Sequence, residues 1–288
     1  MVTGCLFASD IHGSVNRFEK LFDRMAEECP AAVFLGGDIL PSPLHALGPA
    51  SPEYDDFLED FLAPGLSRVR NRLEENYPRV FVILGNDDGR AVEQTVRDLA
   101  SRGLWEYVHG ERTRLDAYPV YGYSFVPPTP FMLKDWERYD VSRYVDPGCV
   151  SPEEGTLSVP FPSGRRRFST IARDLDQLTG DDDMEKAVFL FHSPPYRTAL
   201  DRAALDDRKV EGVPMDVHVG SIAIERFISR RQPLLTLHGH VHESCRLTGN
   251  WRERNERTWM MSAAHDGPEL ALVRFDLDDL ERAERELI

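Results

Sequence analysis

A chain of 288 residues with 41% hydrophobic content carries enough apolar side chain for a sizeable core, and one α/β domain spanning 1–288 with insertions accounts for that length. Its formal charge of −15 has the wrong sign for a surface that grips a phosphate backbone by counterion release, so long nucleic acid is not an expected partner. The cysteines Cys5, Cys29, Cys149 and Cys245 show no paired spacing, which fits a reducing cytoplasm, and no run of about 18 apolar residues predicts a membrane span.

The opening MVTGCLFASD has no basic n-region, so no cleaved signal is expected, and its apolar run at 4–8 predicts a strand leading into SDIHG. Val15, Phe18, Leu21, Phe22 and Met25 then recur at helical spacing, predicting a covering helix over 14–28 capped by Ser14. A second apolar run at 31–35 leads into LGGDI. The prolines Pro41, Pro43, Pro49 and Pro52 break regular structure after it. A helix through Phe57, Leu58 and Phe61 is predicted to open at Ser51-Pro52 and to be kinked or ended by Pro64-Gly65. Residues 41–65 read as an insertion near the site.

A third run at 80–84 leads into LGNDD. Residues 118–131 alternate aromatic and small side chains before VPPTP, which predicts a strand with core aromatics followed by a rigid extended loop. Residues 140–186 are irregular apart from a short amphipathic helix near 169–178 and the acidic run Asp181-Asp182-Asp183. Here Arg165-Arg166-Arg167 reads either as a solvated face or as a clamp for a substrate phosphate. Residues 127–185 are therefore expected to form loops or a lid. Runs at 187–191 and 234–237 lead into LFHSPP and HGHVH, a helix is predicted over 221–231, and closing strands of the second sheet over 257–262 and 269–277.

Five apolar runs thus end in Asp10 and His12, Asp38, Asn86, His192, and His240 and His242. In an α/β sheet the carboxyl ends of the strands face the ligand crevice, so these seven side chains are expected at one rim. They are hard oxygen and imidazole donors without a thiolate, suiting Mn, Fe or Zn, and they are too many for one tetrahedral ion, so two divalent metal ions are implied. Two dications would also give an acidic protein the local positive field that a phosphoester needs.

D-x-H, G-D, G-N, a lone His and G-H-x-H, in that order over residues 10 to about 276, resemble the calcineurin-like metallophosphoesterases. The stretches HSPPYRTALD, HVGSIAIERFI and QPLLTLHGHVHES look like a prokaryotic branch with cyclic-nucleotide phosphodiesterase relatives. The resemblance implies a four-layer double β-sandwich flanked by helices. It implies one ion on Asp10, His12 and His242, a second on Asn86, His192 and His240, and Asp38 bridging the two. A hydroxide shared by the ions would attack phosphorus in a small soluble phosphoester, more readily a diester than a monoester. Asp38, Asn86, Asp87 and Asp88 form the catalytic set on this reading. His238 is expected to be structural or to support the ligands, as are His45, His109, His218 and His265, with His218 placed near enough in sequence to line the pocket.

Two departures from the family pattern matter. Most members read G-N-H followed by an acid, whereas this chain reads Gly85-Asn86-Asp87-Asp88, with Asp87 where the proton-donating His stands. A carboxylate beside two dications is stabilised in its charged form and donates a proton poorly. In addition, Asp38 is followed by Ile-Leu-Pro-Ser without the further acid of many relatives. Hydrolysis therefore requires a good leaving group or another donor such as His218. The alternative is a metal- and phosphate-ligand-binding regulatory protein with impaired catalysis, and a nuclease is a third reading that the acidic balance disfavours. The sequence leaves the oligomeric state open.

Overall fold

The computed structural model describes residues 4–42, 54–160 and 167–288. His45, the prolines Pro43, Pro49 and Pro52, the Ser51-Pro52 helix start, Arg165 and Arg166 lie outside them. In chain order the elements are β1 (Gly4–Ala8), α1 (Val15–Glu28), β2 (Ala32–Gly36), α2 (Ala63–Leu73), β3 (Arg79–Ile83), α3 (Glu93–Ser101), β4 (Glu106–Tyr107), β5 (Arg112–Leu115) and β6 (Tyr118–Tyr123). They continue with α4 (Ile171–Thr179), β7 (Val188–Phe191), β8 (Lys209–Val210), β9 (Val213–Pro214), α5 (Ile222–Arg231), β10 (Leu235–His238), α6 (Ser244–Thr248), β11 (Arg252–Asn255), β12 (Thr258–Ser262), β13 (Ala271–Asp276) and β14 (Asp279–Leu287).

Two six-stranded mixed sheets run β14-β13-β1-β2-β3-β4 and β11-β12-β10-β7-β6-β5. The runs β1-β2-β3-β4 and β6-β7-β10-β12 are parallel, whereas β13, β14, β5 and β11 pair antiparallel, and β13, expected in the second sheet, joins β1 of the first. Strand alternation builds the layers. Phe7, Phe34 and Phe81 meet Val188, Leu190, Leu235 and Leu237 between the sheets, with the Phe34 and Phe81 rings stacked at 5.1 Å. The intervening Leu6, Val33, Leu35, Val80 and Val82 share the outer core with Phe18, Leu21, Phe22 and Met25 of α1. On the second sheet Phe189 meets Phe227 of α5 at 5.0 Å. Central strands covered on both faces read as continuous apolar runs, as the five runs do.

The helices start where their polar caps sit. Ser14 accepts from Arg17 N at 3.4 Å and Ser221 accepts from Ile224 N at 3.0 Å. Of the kink or end expected at Pro64-Gly65, the end is not observed. A π-helical turn over Leu58–Leu62 runs into α2, and Pro64 follows directly on this wide turn, which departs from regular α-helical hydrogen bonding. Gly65 is buried there because a Cβ would strike the Phe22 ring, so the glycine permits the close approach of α1 and α2. β14, with sequence DLERAEREL, is built from good helix formers, yet it pairs with β13 as a charged edge strand.

The loop after β6 is held by buried polar contacts rather than by regular structure. Lys134 Nζ donates to Glu137 at 2.5 Å and to Thr129 O at 2.8 Å, and Trp136 is fully buried against Phe125. Asp140 then accepts from Ser221 Oγ (2.6 Å), Ile222 N (2.7 Å) and Ala223 N (3.1 Å), fastening the loop to the N-terminus of α5. The expected aromatic core at 118–131 is observed for Tyr121, Tyr123 and Phe125, whereas Phe131 is exposed.

Replacing Gly65 by Ala is expected to destabilise the fold by about 1–3 kcal/mol through overpacking, whereas Pro64→Ala, at an exposed first-turn position, stays within about 0.5 kcal/mol. Urea unfolding of both variants measures this, and equal midpoints would remove the close-approach role of Gly65.

Candidate metal centre

The seven candidate donors sit just past the carboxyl ends of β1, β2, β3, β7 and β10, on one rim shared by both sheets. The turns that carry them are tight. Asp10 (φ 55°), His12 (φ 49°), Asp38 (φ 49°) and His240 (φ 73°) are all in the left-handed region, which costs a non-glycine residue roughly 1–2 kcal/mol each. Backbone bonds brace the first two turns against each other, from Asp10 N to Gly37 O at 3.0 Å and from His12 N to Asp38 O at 2.8 Å. His192 crosses between the sheets, its Nδ1 donating to Gly36 O at 2.8 Å, which leaves Nε2 facing Asp38 Oδ2 at 3.2 Å and Asn86 Oδ1 at 3.1 Å.

Two donor groups result, Asp10, His12, Asp38 and His242, and Asp38, His192 and His240, with ligand atoms within 4.8 Å of one another in each. Asp38 belongs to both. His12 Nε2 and His242 Nε2 face each other at 3.1 Å, and His242 Nε2 is 3.2 Å from Asp10 Oδ1. Asp10 Oδ2 is buried without a hydrogen-bond partner. Converging lone pairs and an orphaned carboxylate oxygen are satisfied together by a cation, so the residues fit a pair of divalent ions. The glycines serve the same cradle: a Cβ on Gly37 would lie 2.7 Å from His192 Nδ1, and one on Gly239 2.6 Å from Asp10 Oδ2.

A calcineurin-like phosphoesterase family profile matches residues 5–244. The chain belongs to the calcineurin-like phosphoesterases. Similar solved structures include TT1561 of Thermus thermophilus (16% identity, 100% of this chain and 99% of that one, TM-score 0.54). The phosphopantetheinyl hydrolase PptH of Mycobacterium tuberculosis (16%, 92% and 90%, 0.51) and a dimetal phosphatase of Danio rerio (12%, 96% and 96%, 0.51) share the fold as well. No curated protein matches the chain.

Within this phosphoesterase site, Asp87 points its carboxylate at His12 Nδ1, 3.3 Å away, so the position that holds the proton-donating His in most members is engaged with a candidate ligand. Asp87 N also donates to Asp38 Oδ1 at 2.7 Å. Asp88 is fully buried and accepts from Gly85 N (2.8 Å), Leu40 N (2.9 Å) and Ile39 N (3.3 Å), tying the β2 and β3 turns together. Burial, with the neighbouring Asp38 charge, pushes Asp88 up to about 7 in spite of those amides.

The remaining histidines separate by environment. His238 donates from Nδ1 to Ser193 O (2.9 Å), and its Nε2 meets Thr236 Oγ1 at 2.7 Å, so both nitrogens are structural. His109 is packed against Trp136 and takes Ser124 N at 3.0 Å, and His265 pairs with Glu269 at 3.0 Å. Arg167 is exposed beside Phe168. His218 lines a cavity of about 370 Å³ whose wall includes His240. Asp201, which holds His218 at 2.7 Å, carries no sequence signal for that role, because the pair is 17 positions apart with β8 and β9 between them and no periodicity links them.

Without cations the histidines respond to the acids around them. Burial by itself lowers His12 and His192, but Asp87, Asp38 and Asp10 carry His12, and chiefly Asp38 carries His192, from 6.5 up to about 9. His240 is pushed down to about 3 by burial and by the neighbouring His192, which Asp38 and Asp10 do not offset. Stabilisation from the two raised groups is fully present below pH 6.5 and lost as pH rises through about 9. Both therefore hold protons at neutral pH that a cation must displace. Calorimetric titration of metal-free protein with Mn²⁺ at pH 7 is expected to show proton release, seen as heats that change with buffer ionisation enthalpy, and affinity that rises with pH. Buffer-independent heats would contradict this assignment.

Proposed function

We propose that the chain is a dinuclear metal-dependent phosphodiesterase acting on a small soluble phosphoester, folded as one domain over residues 1–288 and working in the cytoplasm. The observation that carries the reading is Asp38 shared between two donor groups on one rim. Asp10, His12 and His242 would hold one ion and Asn86, His192 and His240 the other, with Asp38 reaching both, and Mn, Fe or Zn suits this oxygen and nitrogen set. When bound, the two ions supply charge stabilisation and an acidified water. The protein's share is positioning: His192 is locked by Gly36 O, His12 is held by Asp87, and Asp88 fixes the two loops that carry Asp38 and Asn86.

Preference for a diester over a monoester is supported by the adjoining cavity. Its walls include Pro128, Phe131, Val141, Tyr144 and Met215, and neither Lys nor Arg is among its described lining residues. A diester carries one negative charge where a monoester carries up to two, so it needs less positive charge from the protein and can lay its alcohol against an apolar wall. Among the described residues no helix is long and apolar enough to cross a membrane.

The regulatory reading, metal and ligand binding without turnover, draws on the engagement of Asp87 with His12. Hydrolysis of bis-p-nitrophenyl phosphate and p-nitrophenyl phosphate by metal-stripped protein resupplied with Mn²⁺ separates the two. The expected result is metal-dependent turnover favouring the diester, lowered at least about a hundredfold by Asp38→Asn. Bound metal without turnover of either ester would replace the enzyme reading with the regulatory one.

A further inference from the structure

We propose that His218 protonates the departing oxygen of the substrate, the task for which Asp87 is unsuited, and that the departing group is an alcohol with an apolar body; both statements rest on the phosphodiesterase reading above. Asp201 is fully buried and accepts from Arg197 N (2.9 Å), Thr198 N (3.0 Å) and Gly220 N (3.1 Å) as well as from His218 Nδ1 (2.7 Å). A carboxylate ringed by donors is an acceptor, so the His218 proton on this side sits at Nδ1. Nε2 is left without a partner among the described residues, on a ring that is 29% exposed and lines the cavity together with His240.

The ring is held rather than loose. Val219 N donates to Asp201 O (3.1 Å), His218 N donates to Asp216 Oδ1 (2.9 Å), and the Tyr196 ring meets the imidazole edge-on at 6.2 Å. Tyr196 is itself fixed by its hydroxyl on Asp216 at 2.5 Å. A histidine presenting one free nitrogen, backed by a buried carboxylate, to a cavity that a candidate metal ligand also lines has the parts of a general acid. The charged groups among the described lining residues are Asp140, Asp146, Asp216 and Glu243, so none of these residues offers a cation that competes with the imidazole for this task.

The step balances without a redox change. The bond from phosphorus to the incoming water oxygen forms as the bond to the ester oxygen breaks. In its doubly protonated form, with Nδ1–H held by Asp201, His218 passes the proton on Nε2 to that ester oxygen, which leaves as a neutral alcohol while the ring reverts to the Nδ1–H tautomer. The proton lost by the attacking water goes to solvent, and His218 takes its next proton from solvent. An alkoxide or unactivated phenoxide needs this proton far more than a nitrophenoxide does, which gives the test its readout.

Methyl p-nitrophenyl phosphate and methyl phenyl phosphate, assayed with the Mn²⁺-loaded full chain, differ only in the leaving group. Replacing His218 by Gln is expected to lower kcat on the phenyl ester by about 10²- to 10³-fold and on the nitrophenyl ester by at most about tenfold, with Mn²⁺ content unchanged. Asp201→Asn is expected to give the same selective loss, and nitrogen NMR of the metal-free chain is expected to show His218 protonated at Nδ1. A loss of equal size on both esters, or none on either, overturns the assignment while leaving the phosphodiesterase reading in place. Failure of the unmodified chain to turn over either ester with Mn²⁺ overturns both.

Discussion

The buried carboxylate of Asp38 is the group around which the rest of the rim is arranged. It is 3% exposed, its Oδ1 takes the Asp87 amide at 2.7 Å, and its Oδ2 faces His192 at 3.2 Å and His12 at 4.0 Å. A carboxylate withdrawn from water is costly unless charge and donors surround it, and here they come from both sheets at once. His192 delivers its imidazole from the second sheet while donating to Gly36 on the first. The same side chain therefore sets the relative placement of the sheets and the geometry of the donors. Gly37 and Gly85 are glycines for this reason, since a Cβ on either would displace His192 or Asp38.

This arrangement is bought with backbone strain, and the rigidity of the surroundings sustains it. Four of the candidate ligands are in the left-handed region, a conformation that an isolated chain of L-residues seldom visits. The turns persist because parallel strands hold their starting points and Asp88 clasps the β2 and β3 turns through backbone amides. Asp88 thereby differs from its neighbours Asn86 and Asp87: it faces the protein's own backbone, and the loop geometry depends on it more directly than the chemistry does. The mutual repulsion of clustered acids and clustered imidazoles is the other cost, and divalent cations relieve both parts of it at once.

The donor set was legible in the sequence because Asp, Asn and His are conspicuous after apolar runs, and because five such endings in the family's order point to one rim. Helix α1 was legible from the spacing of Phe18, Leu21, Phe22 and Met25 and from Ser14. Other features depend on partners that leave no mark in composition. Asp140 and Asp201 act on backbone amides, which every residue but proline supplies, so nothing along the chain announces their roles, and the motif that singles out Asp88 does not reveal its clasp on the Gly85, Leu40 and Ile39 amides. Gly65 reads in sequence as part of a helix kink or end because its reason for being glycine, the Phe22 ring, lies on a different helix. β14 has the composition of a helix, and only the unpaired edge of β13 makes it a strand.

The exchange of His for Asp at position 87 is easier to understand from what Asp87 touches than from what it lacks. Paired with His12 Nδ1 at 3.3 Å, the carboxylate leaves the opposite ring nitrogen, Nε2, facing His242 at 3.1 Å and the shared donor group. A histidine at that position has no carboxylate to offer, so the same site cannot both hold His12 in this way and donate a proton to a leaving group. On the proposed reading, holding the ligand and assisting departure are separated in this chain: the first would fall to Asp87 beside His12, the second to the Asp201-backed imidazole of His218 on the cavity wall. That division would suit the alcohol proposed above, whose apolar body would lie against the wall that His218 shares with Pro128, Phe131, Val141 and Tyr144.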